Sequence, residues 1–105
     1  MAKTTPAVLD AYSTGEGCFP PTQLVQASPN VYAGGKNVGR LNDQYAPHTC
    51  GSTTHAGTQR AIVSGSEKVY VNGLKCGKLG SDIGDGDKVG NHGLPEGAKK
   101  VYIGG

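Results

Sequence analysis

The sequence contains no Trp and a single Phe (Phe19), and hydrophobic residues make up only 35% of its 105 positions. A chain this short and this poor in apolar mass cannot bury a large core. It therefore needs a further tie: a metal, disulfides or a partner surface. No apolar run is long enough to span a bilayer, and the Met1-Ala-Lys3 start opens no signal-peptide h-region; synthesis in a cytoplasm is the expectation. Lys and Arg are scattered and the net charge is only +2, so the concentrated basic patch of a nucleic-acid binder is missing. Helical periodicity is missing too, and 18 glycines would penalise any helix. The three cysteines, Cys18, Cys50 and Cys76, are odd in number, which fits reduced thiols and metal binding better than a disulfide framework.

What the chain does have is a stretch that it repeats. Ser28-Pro-Asn-Val-Tyr-Ala-Gly-Gly-Lys-Asn-Val-Gly-Arg-Leu41 and Ser66-Glu-Lys-Val-Tyr-Val-Asn-Gly-Leu-Lys-Cys-Gly-Lys-Leu79 match at a constant offset. Ser28, Val31, Tyr32, Gly35, Gly39 and Leu41 fall on Ser66, Val69, Tyr70, Gly73, Gly77 and Leu79, and Arg40 falls on Lys78. A truncated copy, Lys100-Val-Tyr-Ile-Gly-Gly105, matches the start of the unit. Repetition of this kind means one small supersecondary unit used several times. The unit reads as a hairpin: a β-type run, a turn dipeptide (Gly34-Gly35 or Asn72-Gly73), then a second strand. These spaced strands and turns argue against disorder, the other reading of a Gly-rich chain.

Between the hairpins lie long irregular loops. Residues 1–5 read as a loose tail and Pro6 to Tyr12 as a first strand. A Gly/Pro-rich loop, Ser13 to Pro21, follows; then β character over Thr22 to Val25, the first hairpin, and a polar loop from Gln44 to Gly57. Gln59 to Val63 reads as strand, the second hairpin follows, and a third loop runs from Gly80 to Pro95 before a last strand over Val101 to Ile103. The fold class is mostly β in one domain, residues 1–105, with no substantial helix. Loops this long inside a compact domain are usually functional.

All three His lie in these loops, and so do Cys18 and Cys50. If the hairpins surround a common axis, the loops converge at one end. They would bring Cys18, His48, Cys50, His55 and His92 towards one point, and four such N and S ligands make a closed tetrahedral zinc site. Binding energy at that point becomes folding energy, which answers the missing core. Cys76 reads instead as a small buried apolar residue, standing where the first repeat has Val38.

Rival motifs fit less well. Asp85-Gly-Asp87 faintly resembles a calcium loop, but Val89 and Gly90 spoil the side-chain pattern, and an acidic turn is the simpler reading. Gly73-Leu-Lys-Cys-Gly77-Lys78 is too short for a phosphate loop, and no Ser or Thr follows the Lys. A Cys50–His55 nucleophile pair lacks an orienting residue. A zinc ion with all positions filled by protein leaves no place for a water, so catalysis is not expected.

The repeated Ser-x-x-Val-Tyr-x-x-Gly-x-x-x-Gly-Arg/Lys-Leu unit resembles the PAAR-repeat proteins, whose unit runs roughly Ser-Pro-x-Val-x-x-Asn-Gly-x-Pro-Ala-Ala-Arg-x-Gly-Asp. The namesake tetrapeptide is degenerate here: Asn37-Val-Gly-Arg40 and Lys75-Cys-Gly-Lys78. The segment Gly15-Glu-Gly-Cys-Phe-Pro-Pro21 and the run His48-Thr-Cys-Gly followed by His55-Ala-Gly resemble the phage branch of that family. The resemblance runs from about Pro6 to Gly105. It implies a small conical β domain with pseudo-threefold symmetry, seated by its broad base on the blunt end of a trimeric β-helical spike. It implies a vertex held by zinc through three His and one Cys, which here would be His48, His55, His92 and Cys18. Cys50 is the alternative thiol, Glu16 stands where the phage branch often has His, and iron is the alternative metal. The implied role is structural: the tip that caps and sharpens the membrane-attacking spike of a contractile phage tail or type VI secretion-like machine. The implied location is the baseplate of a virion tail or the tip of an injection apparatus. The implied partners are the spike trimer and, transiently, the target membrane, with no nucleic acid and no small-molecule substrate. The apolar strand residues Val31, Val69 and Val101 are the expected base contacts. A free-standing zinc-binding β module for protein or carbohydrate recognition is the alternative function.

Overall fold

The computed structural model of the chain describes residues 3–92 and 103–104, with side chains over 5–90. It is built of short antiparallel pairs: β1 (Lys3–Thr4) with β10 (Ile103–Gly104), β2 (Tyr12–Ser13) with β9 (Val89–His92), β3 (Tyr32–Ala33) with β4 (Lys36–Asn37), β5 (His48–Cys50) with β6 (Thr53–His55), and β7 (Tyr70–Val71) with β8 (Leu74–Lys75). Among the described residues the only helical element is one 3-10 turn, Gly57–Gln59. The fold is mostly β, as the repeats predict.

The repeat unit folds the same way twice. The turn residues Gly34 and Gly35 have φ of 59° and 83°, and Asn72 and Gly73 have 54° and 82°. Two successive positive φ values define the tight turn whose twist matches that of paired strands. Buried Ser28 and Ser66 each accept two backbone N–H bonds through Oγ, from Asn30 and Val31 and from Lys68 and Val69. The N–H of each Ser in turn donates to Val38 O or Cys76 O at 2.8 Å. The third copy is divided between the termini. Ile103 pairs with Thr4 as Val71 pairs with Leu74, so residues 3–4, expected as part of a loose tail, supply the return strand of the last hairpin.

The three units close on one another around an axis. The Ala7 N–H donates to Gly77 O (2.9 Å), Gly77 N–H to Gly39 O (2.9 Å), and Gly39 N–H to Ala7 O (2.7 Å). The next ring repeats the cycle: Leu9 to Asn37, Leu41 to Lys75, Leu79 to Thr5. So does the one beyond it: Ala46 to Gln23, Gly84 to Ala61, Thr14 to Lys88. Asp10, Asn42 and Gly80, one residue after the three leucines, share φ values of 71°, 77° and 85°. This is pseudo-threefold symmetry carried by the backbone. The principal extents, 40 × 27 × 26 Å, have the two near-equal short axes that such symmetry requires.

The interior is layered along this axis. One apolar cluster holds Val8, Ala11, Ala33, Val38, Val71 and Cys76, with Val31 and Val69 packed against it. These two valines, expected at a partner surface, are half-buried against the molecule's own core, and their neighbours Tyr32 and Tyr70 stand outward, 60% and 56% exposed. A second cluster holds Ala7, Leu24, Tyr45, Ile62, Ile83 and Val89. Beyond it comes a polar layer with no counterpart in an ordinary apolar core. Thr22, Arg60 and Asp87 occupy the three equivalent positions, since the Ser13, Tyr45 and Ile83 N–H groups donate to their carbonyls. Arg60 and Asp87 are fully buried and ion-paired. Among the described residues every buried side-chain N or O has a hydrogen-bond partner, which is what makes such a layer tolerable.

Candidate metal centre

Above the polar layer the three long loops meet, as the sequence predicts for hairpins around a common axis. The middle loop is itself a hairpin. His48 and His55 are direct partners in the β5–β6 register, and residues opposite one another on an antiparallel pair project to the same face. Gly51, at φ 62°, makes the turn between them. Thr49 and Thr54 project to the other face and join through their hydroxyls at 2.9 Å.

The two imidazoles meet a carboxylate from the third loop. His48 Nε2 lies 2.7 Å and His55 Nδ1 2.9 Å from Asp85 Oδ2, and the two ring nitrogens are 3.1 Å apart. These donor atoms all lie within 4.8 Å of one another. An ion bonded to nitrogen and oxygen at about 2.0–2.2 Å spans such a group, so His48, His55 and Asp85 can hold a metal ion. The carboxylate oxygen can only accept, so it can take a hydrogen from a ring N–H or share an ion with the ring nitrogens.

The group is held from outside on all but the His55 side. His48 Nδ1 donates to Pro20 O at 2.9 Å, leaving Nε2 to face the cluster, the arrangement that orients most ligating histidines. Phe19 stacks on His55 with ring centroids 3.9 Å apart and leans on His48 at 4.7 Å. Arg60 Nε donates to Asp85 Oδ2 at 2.9 Å, and its guanidinium also reaches Asp87, Ser13, Thr22 and the Ala46 carbonyl. Burial alone would raise the Asp85 pKa; the Asp87 N–H, Arg60 and His48 outweigh it and hold the carboxyl below its ordinary value. The side chains of His48 and Asp85 are 0% and 3% exposed, and that of His55 is 21% exposed, so entry is from the His55 side.

Of the expected ligands, His48 and His55 are thus brought together. Cys18 is placed differently: it forms a disulfide with Cys50, Cα to Cα 5.5 Å, where reduced thiols were expected. The cause is the convergence of the first loop and the hairpin, which puts the two Cα atoms inside the range a disulfide requires. The remaining cysteine, Cys76, is free and buried in the first apolar cluster, as its reading as a small apolar residue implies. The backbone of His92 ends β9, in register with Tyr12 rather than with the loop residues; its side chain lies outside the described residues. Glu16 is exposed, and its carboxylate rests over the third-loop turn, where a Cβ on Gly86 would come within 3.0 Å of Glu16 Cδ.

Arg60 is a participant that no motif singles out, and Asp85 enters the motif reading only through a calcium-loop resemblance set aside in favour of an acidic turn. Asp85-Gly-Asp87 reads as an acidic turn, and it is one: the Asp87 N–H donates to Asp85 Oδ1 and Gly86 takes φ 101°. The faint calcium-loop resemblance is the one local mark of a ligand, and its side-chain pattern fails at Val89 and Gly90. The signal that could have found it is the alignment of the three loops around the axis. No protein-family model matches this chain, and no curated protein matches it.

Proposed function

We propose that this chain is a PAAR-type tip for a threefold spike, its vertex clamped by a zinc ion. The observation that carries the reading is the closed ring of hydrogen bonds through Ala7, Gly39 and Gly77. A single chain gains from mimicking a threefold when it must sit on the axis of a trimer, because each of its units can then meet one subunit in the same way. The base is the end bearing the three hairpins. Its outward Tyr32 and Tyr70 are large amphipathic side chains of the kind that anchor interfaces.

The other end suits a point under load. The loops there are Gly-rich and have little apolar mass of their own. Zinc held by His48, His55 and Asp85 would tie the second loop to the third, and Phe19 packed on both rings would bring in the first. His92 and Glu16 remain the candidates for a further ligand, Cys18 and Cys50 being joined to each other. The role is mechanical and not catalytic: the domain caps the spike of a contractile tail or secretion-like machine and meets the target membrane first.

Co-expression with a trimeric β-helical spike protein tests this. Native mass spectrometry is expected to show one copy of this chain per trimer, with one zinc by elemental analysis. A chain that ignores the trimer yet binds zinc would be a free-standing module, and this reading would be lost.

A further inference from the structure

Three consecutive residues of the first loop grip the hairpin that carries both histidines. Cys18 is bonded to Cys50, Phe19 stacks on the His55 ring at 3.9 Å, and Pro20 accepts the His48 Nδ1 hydrogen at 2.9 Å. Cys50 lies two residues from His48 on β5, so its side chain projects to the same face as the two imidazoles. The loop's own hydrogen bonds, Thr14 N–H to Lys88 O and the reciprocal pair between Glu16 and Phe19 at 3.0 and 2.9 Å, shape the loop without reaching the β5–β6 hairpin, and residues 16–18 are exposed. The orientation of His48 and the lid over His55 therefore depend on a segment whose one covalent attachment to the hairpin is the disulfide.

We infer that the Cys18–Cys50 pair is a redox-controlled clamp on the metal centre: closed as a disulfide it fixes Phe19 and Pro20 against the histidines and favours metal binding, and opened to two thiols it loosens both contacts. The inference rests on the reading of His48, His55 and Asp85 as a metal site.

The chemistry is thiol–disulfide exchange. Closure removes two electrons and two protons from the two thiols, and they pass to a disulfide oxidant such as oxidised glutathione, which leaves as two thiols. The exposed Cys18 thiolate attacks one sulfur of the oxidant and expels its first thiolate. The Cys50 thiolate then attacks the Cys18 sulfur of the mixed disulfide and expels the second. Cys76 takes no part: it is 1% exposed, and burial pushes its thiol up to about 11, so it stays protonated.

The test uses the whole chain in two states, oxidised with a glutathione couple and reduced with a phosphine. Cobalt(II) serves as the metal probe and imidazole nitrogen NMR as the metal-free readout. In the oxidised chain His48 is expected to keep its hydrogen on Nδ1 in slow exchange, and cobalt is expected to bind without thiolate-to-cobalt charge transfer. Reduction should loosen the ring signals and weaken cobalt binding by roughly 10–100-fold, the range that loss of an outer partner of a ligand costs. A Cys18→Ser/Cys50→Ser variant should behave as the reduced chain in both buffers, which separates loss of the clamp from effects of the phosphine.

Ring signals that do not move on reduction would overturn the clamp whether or not cobalt binds. Tighter binding by the reduced chain, with thiolate charge transfer, would also overturn it, by showing a cysteine as ligand. Rings that loosen on reduction in a chain that binds no cobalt would keep the clamp and remove the metal reading beneath it.

Discussion

Ala7, Gly39 and Gly77 occupy equivalent places around the axis, yet the space there admits one methyl group. A Cβ on Gly77 would lie 3.1 Å from Ala7 Cβ, 3.0 Å from Ile62 Cδ1 and 3.3 Å from Gly39 O; one on Gly39 would lie 2.7 Å from Leu24 Cδ2. The glycines are thus required by close approach and not by unusual φ. Gly77→Ala is expected to lose about 1–3 kcal/mol, the usual cost of overpacking, in urea unfolding. Adding Ala7→Gly should recover part of that loss, because it vacates one of the colliding methyls; a double variant no better than the single one would refute the shared-space argument. A different constraint acts at Arg60, whose one guanidinium neutralises two carboxylates with side-chain exposures of 3% and 0%. Arg60→Met leaves Asp85 and Asp87 buried with no cation, and removal of one partner from a buried pair costs about 3–5 kcal/mol. The same network sets a pH dependence. The Asp85 carboxyl titrates below its ordinary 3.8 in the folded chain, so its contribution is complete above that value and is lost as the pH falls through the lower folded value. In chelator-treated protein, acid unfolding should therefore lose part of its pH slope in the Asp85→Asn variant. An unchanged slope would show that Asp85 is not the group responsible.

At the scale of elements, what was legible in the sequence was whatever depended on local backbone rules. Gly34-Gly35 and Asn72-Gly73 announce tight turns by residue type alone, and both hairpins form there. The match of Ser28 with Ser66 marks a shared position, and the structure shows its role to be a backbone cap. Partnerships across the axis were less legible, because no spacing encodes them. The thiols of Cys18 and Cys50 look independent until the first loop and the β5–β6 hairpin are brought together. Asp85 looks like a turn residue until the third loop is laid beside them. His48 and His55 were legible as loop histidines, but their facing register depends on the Gly51 turn making a hairpin of what reads as a polar loop. The disulfide gives the element-scale prediction. It spans a sequence separation of 32 residues, and closing a loop of about that length is worth about 3–4 kcal/mol in the chain-entropy account. Cys18→Ser/Cys50→Ser should lower the melting temperature of the oxidised chain by more than about 10 °C, at about 4–8 °C per kcal/mol for a domain near this size. The wild type melted under reductant should match the variant; a wild type indifferent to reductant would mean the bridge contributes nothing to stability.

For the whole molecule the layered interior separates two ends of different chemistry. The hairpin end offers outward tyrosines over an apolar cluster, and the loop end offers nitrogen and oxygen donors over a charged layer. Two apolar clusters and the Arg60–Asp87 layer lie between them, and each layer is closed by its own hydrogen bonds. A change confined to one end therefore has no bistable element through which to reach the other, and coupling between distant sites needs such an element. The two ends are accordingly expected to fail independently. Tyr32→Asp/Tyr70→Asp places two charges on the hairpin end at side chains that are 60% and 56% exposed, so folding should be spared. Under the proposed spike-tip role, capture by a threefold spike should then be lost, because a desolvated charge without a partner opposes docking. Zinc content should be unchanged. His48→Ala should do the reverse: it removes the ring held between Pro20 and Asp85, so zinc content and melting temperature should fall. Capture of the trimer by the fraction that remains folded should persist. Elemental analysis and native mass spectrometry on the same preparations read both properties at once. Loss of zinc in the tyrosine variant, or loss of capture by folded His48→Ala protein, would show that the vertex and the base are one cooperative unit, contrary to the layered architecture.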